Sequence, residues 1–138
     1  MIIQQLTIFL ENKSGRLTEV TEALAATRIN ISALSIAETS EYGILRLIVS
    51  DPQAAVTALK ERHFSVNLTD VIGISIPNQP GSLMKVITVL SKHDISVEYM
   101  YAFATADGAQ AIIRCDDLDG AIDLLSGNET TLLKESDL

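Results

Sequence analysis

The sequence predicts an α+β fold in which one β-α-β-β-α-β unit is written twice, and three observations carry the prediction. The first is self-similarity. At an offset of 66 residues, positions 8 to 39 are repeated by positions 74 to 105 at eight of thirty-two places, among them Asn12/Asn78, Gly15/Gly81, Leu17/Leu83, Val20/Val86 and Leu24/Leu90. A one-residue gap near Tyr42 then aligns Gly43 to Leu47 with Gly108 to Ile112, and Ser50-Asp51 with Cys115-Asp116. The second is that strand-period and helix-period segments follow one another in the same order in both halves. The third is composition: 47% hydrophobic residues with only 4% aromatic describe an aliphatic core throughout, with no disordered or low-complexity stretch. The predicted units are residues 1–69 and 70–138. A unit that short buries little core by itself, so the halves are expected to lean on one another.

In the first unit, Leu6, Ile8 and Leu10 alternate with Thr7, Phe9 and Glu11 at the period of a strand, and Asn12 to Gly15 supplies turn-forming residues. Leu17, Val20, Ala23 and Leu24 then fall at helical spacing between Arg16 and Thr27, with Ser14 placed to cap the first turn. Ile29 to Ile36 reads as a second strand, Glu38 to Gly43 as a hairpin turn and Ile44 to Val49 as a third strand. Asp51 caps a second helix with Pro52 at its first position, where the missing amide hydrogen costs nothing. That helix ends by His63, and a fourth strand runs from Phe64 to about Thr69. The second unit repeats the order: strand 71–77, helix 81–92, strands 95–103 and 109–115, helix 117–126 and strand 130–135. This is the ferredoxin-like arrangement, an antiparallel sheet with both helices on one face. With no Gly-Ser or Pro-rich linker near Thr69, a fixed side-by-side placement of the units is expected.

A net charge of −8 with no run of Lys or Arg argues against nucleic acid and anionic membranes as partners. Met1 leads straight into Ile2-Ile3-Gln4-Gln5-Leu6 without the features of a signal peptide, and no segment has the roughly 18 apolar residues a membrane span needs, so a cytoplasmic chain is expected. Cys115 ends an apolar run and reads as a buried structural thiol. No Cys/His cluster is present to hold a metal, and no cofactor motif is apparent. His63 and His93 fall near helix ends, and neither paired carboxylates nor a Ser/His/Asp set has catalytic spacing, so no enzyme is expected. On the second strand of the second unit, Val97, Tyr99, Tyr101 and Phe103 share a face by the period of two, opposite Glu98, Met100 and Ala102. If Met100 faces the helices, the aromatic row lies on the uncovered side of the sheet and offers a surface for a second copy; the alternative is that these aromatics cover the domain's own seam or line its ligand pocket.

The run Leu6-Thr7-Ile8-Phe9-Leu10-Glu11-Asn12-Lys13-Ser14-Gly15-Arg16-Leu17, and still more Ile76-Pro77-Asn78-Gln79-Pro80-Gly81-Ser82-Leu83, resembles the opening of the ACT domain. Asp94-Ile95-Ser96-Val97 and Arg28-Ile29-Asn30-Ile31 continue the likeness, which covers nearly the whole chain twice and is most similar to stand-alone tandem ACT proteins. The first unit is also similar to the small regulatory subunit of acetolactate synthase. The resemblance implies a ferredoxin-like regulatory module that binds an amino acid; the aromatic row and the sheet edges add the expectation of a homodimer through the sheet or its edges. The resemblance also implies an enzyme of amino-acid metabolism as a partner. The alternative is a non-catalytic regulatory subunit or protein-pairing module that binds no free amino acid.

The residues support a ligand site independently of the family. A glycine turn that opens a helix leaves backbone N–H groups unpaired at the positive end of the helix dipole, which suits a carboxylate. Here those are the amides around Gly15 to Leu17 and Gly81 to Leu83, with Asn12 and Asn78 beside them. Turn chemistry alone also accounts for every residue at both places. The resemblance implies one eight-stranded sheet with ligands at the seam, where the turn of one unit faces the second strand of the other. Asn12, Gly15, Arg16 and Leu17 would then face Glu98 and Tyr99, and Asn78, Gly81, Ser82 and Leu83 would face Ser32 and Ala33. Arg16 and Lys13 make the first turn basic whereas Ser82 and Gln79 leave the second neutral, so the site of Asn12, Gly15, Arg16 and Glu98 is the one expected to take a zwitterion.

Overall fold

The computed structural model describes residues 1–39, 41–127 and 130–138. Along the chain it has β1 (Ile2–Glu11), α1 (Arg16–Ala26), β2 (Ile31–Glu38), β3 (Tyr42–Val49), α2 (Pro52–Glu61) and β4 (Ser65–Ile76). There follow α3 (Ser82–Lys92), β5 (Val97–Thr105), β6 (Gly108–Cys115), α4 (Leu118–Ser126), β7 (Thr131–Leu132) and a 3₁₀ turn (Glu135–Asp137). The chain divides into two compact units, Gln4–Thr69 with Leu138, and Met1–Ile3 with Asp70–Asp137.

In the first unit the strand order is β2-β3-β1-β4, with β3 antiparallel to both β1 and β2. Leu6, Ile8 and Leu10 of β1 share a face with Leu45, Leu47 and Val49 of β3, and that face packs on Val20, Ala23 and Leu24 of α1 and Ala55 and Leu59 of α2. Both helices thus cover one side of the sheet, as the two periodicities require. Asp51 closes the start of α2 by accepting the Ala54 amide at 3.1 Å, with Pro52 at the first helical position. The Glu38 to Gly43 turn is shorter than expected, since β2 reaches Glu38 and β3 begins at Tyr42; Ser40 lies outside the described residues.

The second unit repeats this with order β7-β4-β6-β5, and Ile72, Ile74, Ala111, Ile113 and Cys115 pack on Val86 and Leu90 of α3 and Ala121 and Leu125 of α4. Asp117 caps α4 by accepting the Gly120 amide at 2.9 Å. Gly73 is buried where Ile3 and Leu133 close over it: a Cβ there would stand 2.8 Å from the Ile3 Cδ1 and 3.2 Å from the Leu133 Cβ.

Four expectations are corrected. Strands predicted at 64–69 and 71–77 are one continuous strand, because no turn former interrupts Val66 to Ile74; among the described residues the chain therefore has seven strands and not eight. The strand predicted at 130–135 keeps only Thr131–Leu132, since the Asp137 carboxylate accepts the Lys134 amide at 2.8 Å and draws the polar terminus into a 3₁₀ turn. Ser14 does not cap α1: Gly15 holds that position in a left-handed conformation, and the helix receives no side-chain cap.

The fourth concerns the aromatic row. The β5/β6 register shifts by one residue between Val97 and Tyr99, so Val97 pairs with Cys115 and packs on the helix-side core, while Tyr99, Tyr101 and Phe103 pair with Arg114, Ile112 and Gln110 on the face without helices, where Ile112 itself is buried. The inserted Glu98 leaves the Met100 side, where alternation had put it, and reaches Arg114 at 3.5 Å. The first unit has the same shift between Ile31 and Ala33. In both units the chain just before the shift is held by a matching bond: the Asn30 amide donates to the Ser50 hydroxyl and the Ser96 amide to the Asp116 carboxylate, each at 3.0 Å.

Candidate functional site

Strands β1 and β2 both run antiparallel to β3, so they are parallel to each other and their C-terminal ends lie together. The turn after β1 therefore meets the end of its own unit's second strand. In the first unit this makes a cleft of about 170 Å³ lined by Leu10, Glu11, Asn12, Lys13, Arg16 and Leu17 with Ile36, Glu38 and Gly43. The second unit has its counterpart, about 240 Å³, where Asn78, Gln79, Ser82 and Leu83 meet Ala102, Phe103, Ala104 and Ala109. Behind the same turn a further cleft of about 360 Å³ runs along α3 past Gln79, Ser82, Lys85 and Val89.

Gly15 and Gly81 open their helices with identical backbone angles, φ 89° and ψ −11°, and neither α1 nor α3 has a side-chain cap. The second helix of each unit, by contrast, is closed by an aspartate. The chain thus supplies a carboxylate at the starts of α2 and α4 and withholds one at the starts of α1 and α3, both of which border clefts. The Arg16 amide leans back to the Lys13 carbonyl at 3.4 Å and the Ser82 amide to the Gln79 carbonyl at 3.2 Å, weak bonds at the edge of hydrogen-bond length.

The two clefts differ in charge. Lys13 pairs with Glu11 at 2.9 Å, and that cation holds the exposed Glu11 carboxyl below the usual carboxylate range. Arg16 pairs with Glu19 at 2.8 Å and lays its guanidinium over the buried Phe64 ring, 4.8 Å from the centroid. Both basic groups of the first turn are therefore engaged within their own unit. In the second cleft the matching positions carry Gln79 and Ser82, and Glu38 is replaced by Ala104.

Asn12, Arg16 and Leu17 share one cleft, and Asn78, Ser82 and Leu83 share the other. Ser32, Ala33, Glu98 and Tyr99 sit at the register shifts at the beginning of β2 and β5, the ends of those strands away from their own unit's turn. Ile36, Glu38 and Ala102 to Ala104 are lining residues the sequence reasoning missed. The strand order contained the signal, because it places the ends of the first and second strands together. Cys115 is buried, its thiol is pushed up by that burial, and its Sγ lies 3.7 Å from the Asp117 carbonyl. His93 bonds back to the Val89 carbonyl at 2.9 Å as a helix-end residue. Among the described residues no three His, Cys, Asp or Glu side chains are grouped to hold a metal ion, and no helix is long and apolar enough to cross a membrane.

Two ferredoxin-like units, each with an uncapped helix start beside a cleft, define a tandem of small ligand-binding-type domains. A match to the family described as ACT domain pair covers residues 1–138, and the chain belongs to that family. It is similar to protein BT0572 from Bacteroides thetaiotaomicron, with 55% identity over 99% of this chain and 95% of that one and a TM-score of 0.96. The regulatory subunit of aspartate kinase from Thermus thermophilus, in its ligand-free form, shares the fold at 16% identity, covering 90% of this chain and 91% of that one, with a TM-score of 0.67. The aspartokinase alpha and beta subunits share it at 14% identity, 99% and 97% coverage and a TM-score of 0.59. No curated protein sequence matches.

Proposed function

We propose that this ACT domain pair binds a free amino acid at its glycine turns and that occupancy regulates an enzyme of amino-acid metabolism. The observation that carries the reading is the contrast in capping: α2 and α4 start from an aspartate carboxylate that takes a first-turn amide, while α1 and α3 present uncapped first turns to clefts of their own. A ligand carboxylate would take the place that Asp51 and Asp117 hold elsewhere, accepting amides of Gly15 to Leu17 or Gly81 to Leu83. Asn12 and Asn78 stand beside those amides to orient the ligand, and the second strand of another ACT unit, through Ser32 and Ala33 or Glu98 and Tyr99, completes the pocket. Regulation then follows from differential affinity for two states of the assembly. The second reading is a pairing module without a free ligand. It draws on β2 and β5, which are edge strands of their units and can pair with a second copy or an enzyme.

Differential scanning fluorimetry against the twenty amino acids separates the two readings. A ligand that binds only the folded state raises the melting temperature, by about 2.7 kcal/mol of stabilisation at a hundredfold excess over Kd. The amino-acid reading expects such a rise with one or a few amino acids, lost in Gly15→Ala or Gly81→Ala. No rise with any of them at about millimolar concentration rejects it and leaves the pairing module.

A further inference from the structure

The face of the first unit's sheet turned away from its helices carries a recess of about 400 Å³ formed by Phe9, Ala37, Thr39, Tyr42 and Ile44, with Glu38 at its wall. Register sets Phe9, Ile44 and Ala37 side by side across three strands and places Tyr42 opposite Glu11. Phe9 and Tyr42 are 50% and 53% exposed, so two aromatic rings border an apolar hollow on a solvated face.

The second unit is an internal control for this surface. There the same three register positions hold Ser75, Gln110 and Phe103, and Gly108 stands where Tyr42 does; the pairing keeps the 66-residue offset through the third strand, so the one-residue gap that the sequence suggested near Tyr42 is not present. The fold therefore does not require Phe and Ile at these places, and Ala37 leaves empty the position that Phe103 fills in the sister unit. The rim toward the turn is acidic, while on the other side Arg46 follows Ile44 on the same face of β3. Glu38 lines the hollow, Glu11 faces Tyr42 across the strands and Glu41 precedes it in the chain, while Lys13 is drawn to Glu11 at 2.9 Å.

We propose that this recess receives a segment of a partner protein that lays an aromatic or branched aliphatic side chain over Ala37 and flanks it with Lys or Arg. The apolar hollow gives the anchor a desolvated seat, and the carboxylates around it attract basic flanks. A second copy of this chain fits poorly. A two-fold contact through this patch would set Glu38 and its neighbours against their own equivalents, between chains that each carry a net charge of −8.

The test uses the full chain and a synthetic peptide with one central phenylalanine flanked by lysines, followed by amide NMR and fluorescence anisotropy. The controls are the same peptide with glutamates for the lysines and with alanine for the phenylalanine. Ala37→Phe and Ile44→Gln install the sister unit's residues and so are compatible with the fold. The expected result is movement of the Phe9, Ala37, Tyr42 and Ile44 amides with Kd at or below about millimolar, and a weakening of about tenfold in Ala37→Phe, in Glu38→Gln and with the alanine peptide. Affinity should also fall as salt rises. The proposal is overturned if those amides do not move, if the glutamate peptide binds as well, or if a correctly folded Ala37→Phe binds unchanged. It is equally overturned if sedimentation shows self-association that Ala37→Phe abolishes, which would make a second copy the occupant.

Discussion

Gly15 and Gly81 sit at φ 89° with nothing within 4 Å of where a Cβ would stand, so the cost of alanine there is confined to the backbone. An L-residue forced into this region loses about 1–2 kcal/mol. Gly15→Ala and Gly81→Ala should therefore melt cooperatively a few degrees lower in thermal denaturation, and a variant as stable as the parent would deny the left-handed geometry. The sequence displayed both glycines plainly but misled on the residue before them. Ser14 is a good capping type, yet with Gly15 itself as the cap its hydroxyl serves no helix amide. Ser14→Ala should accordingly change stability by no more than about 0.5 kcal/mol in urea titrations. At Cys115 the composition pointed correctly to a buried thiol. Burial raises its folded pKa above the unfolded one, so its contribution is complete below the unfolded thiol range and is lost as pH rises through the folded value. Iodoacetamide at about pH 8.5, the ordinary thiol pKa, should label Cys115 only as fast as the chain opens; rapid labelling of native protein would contradict the inert reading.

Capping is where the first and second helices of each unit differ. Asp51 and Asp117 each hold an amide at the start of the second helix of their unit, and Asp51→Ala or Asp117→Ala should cost about 1 kcal/mol by chemical denaturation. Losses no larger than that of Ser14→Ala would remove the contrast on which the ligand reading stands. Asp51 was legible because Pro52 follows it and fixes the helix start. The strands were legible from alternation, but the register shifts were not, since one inserted residue leaves no mark in a hydrophobicity pattern. Val97 shows the consequence: period-two counting places it with Tyr99, whereas the shift returns it to the core beside Cys115 and brings Glu98 to Arg114. The repeat boundary suggested separate strands at 64–69 and 71–77, although Thr69-Asp70-Val71 contains no residue that would stop a strand, and the structure runs through it.

For the whole molecule, duplication was the most legible property, and it also exposes what the two copies no longer share. The turns kept Asn, Gly and Leu at matching places, while charge was concentrated in the first through Lys13, Arg16 and Glu38 and removed from the second. Pairing of Lys13 with Glu11 and of Arg16 with Glu19 leaves the second, neutral cleft the less obstructed of the two, although the sequence favoured the first. The missed lining, Ile36, Glu38 and Ala102 to Ala104, follows from the parallel run of the first and second strands and could have been derived from topology alone. The central claim is that an amino-acid carboxylate takes the empty caps of α1 or α3. The most direct measurement is a titration of the isotopically labelled full chain with amino acids, followed through its backbone amide resonances. The account predicts that the amides of Gly15 to Leu17 or of Gly81 to Leu83 shift furthest, with those of the Asp-capped starts of α2 and α4 unmoved. Shifts confined to other surfaces, or none with any amino acid, would contradict it.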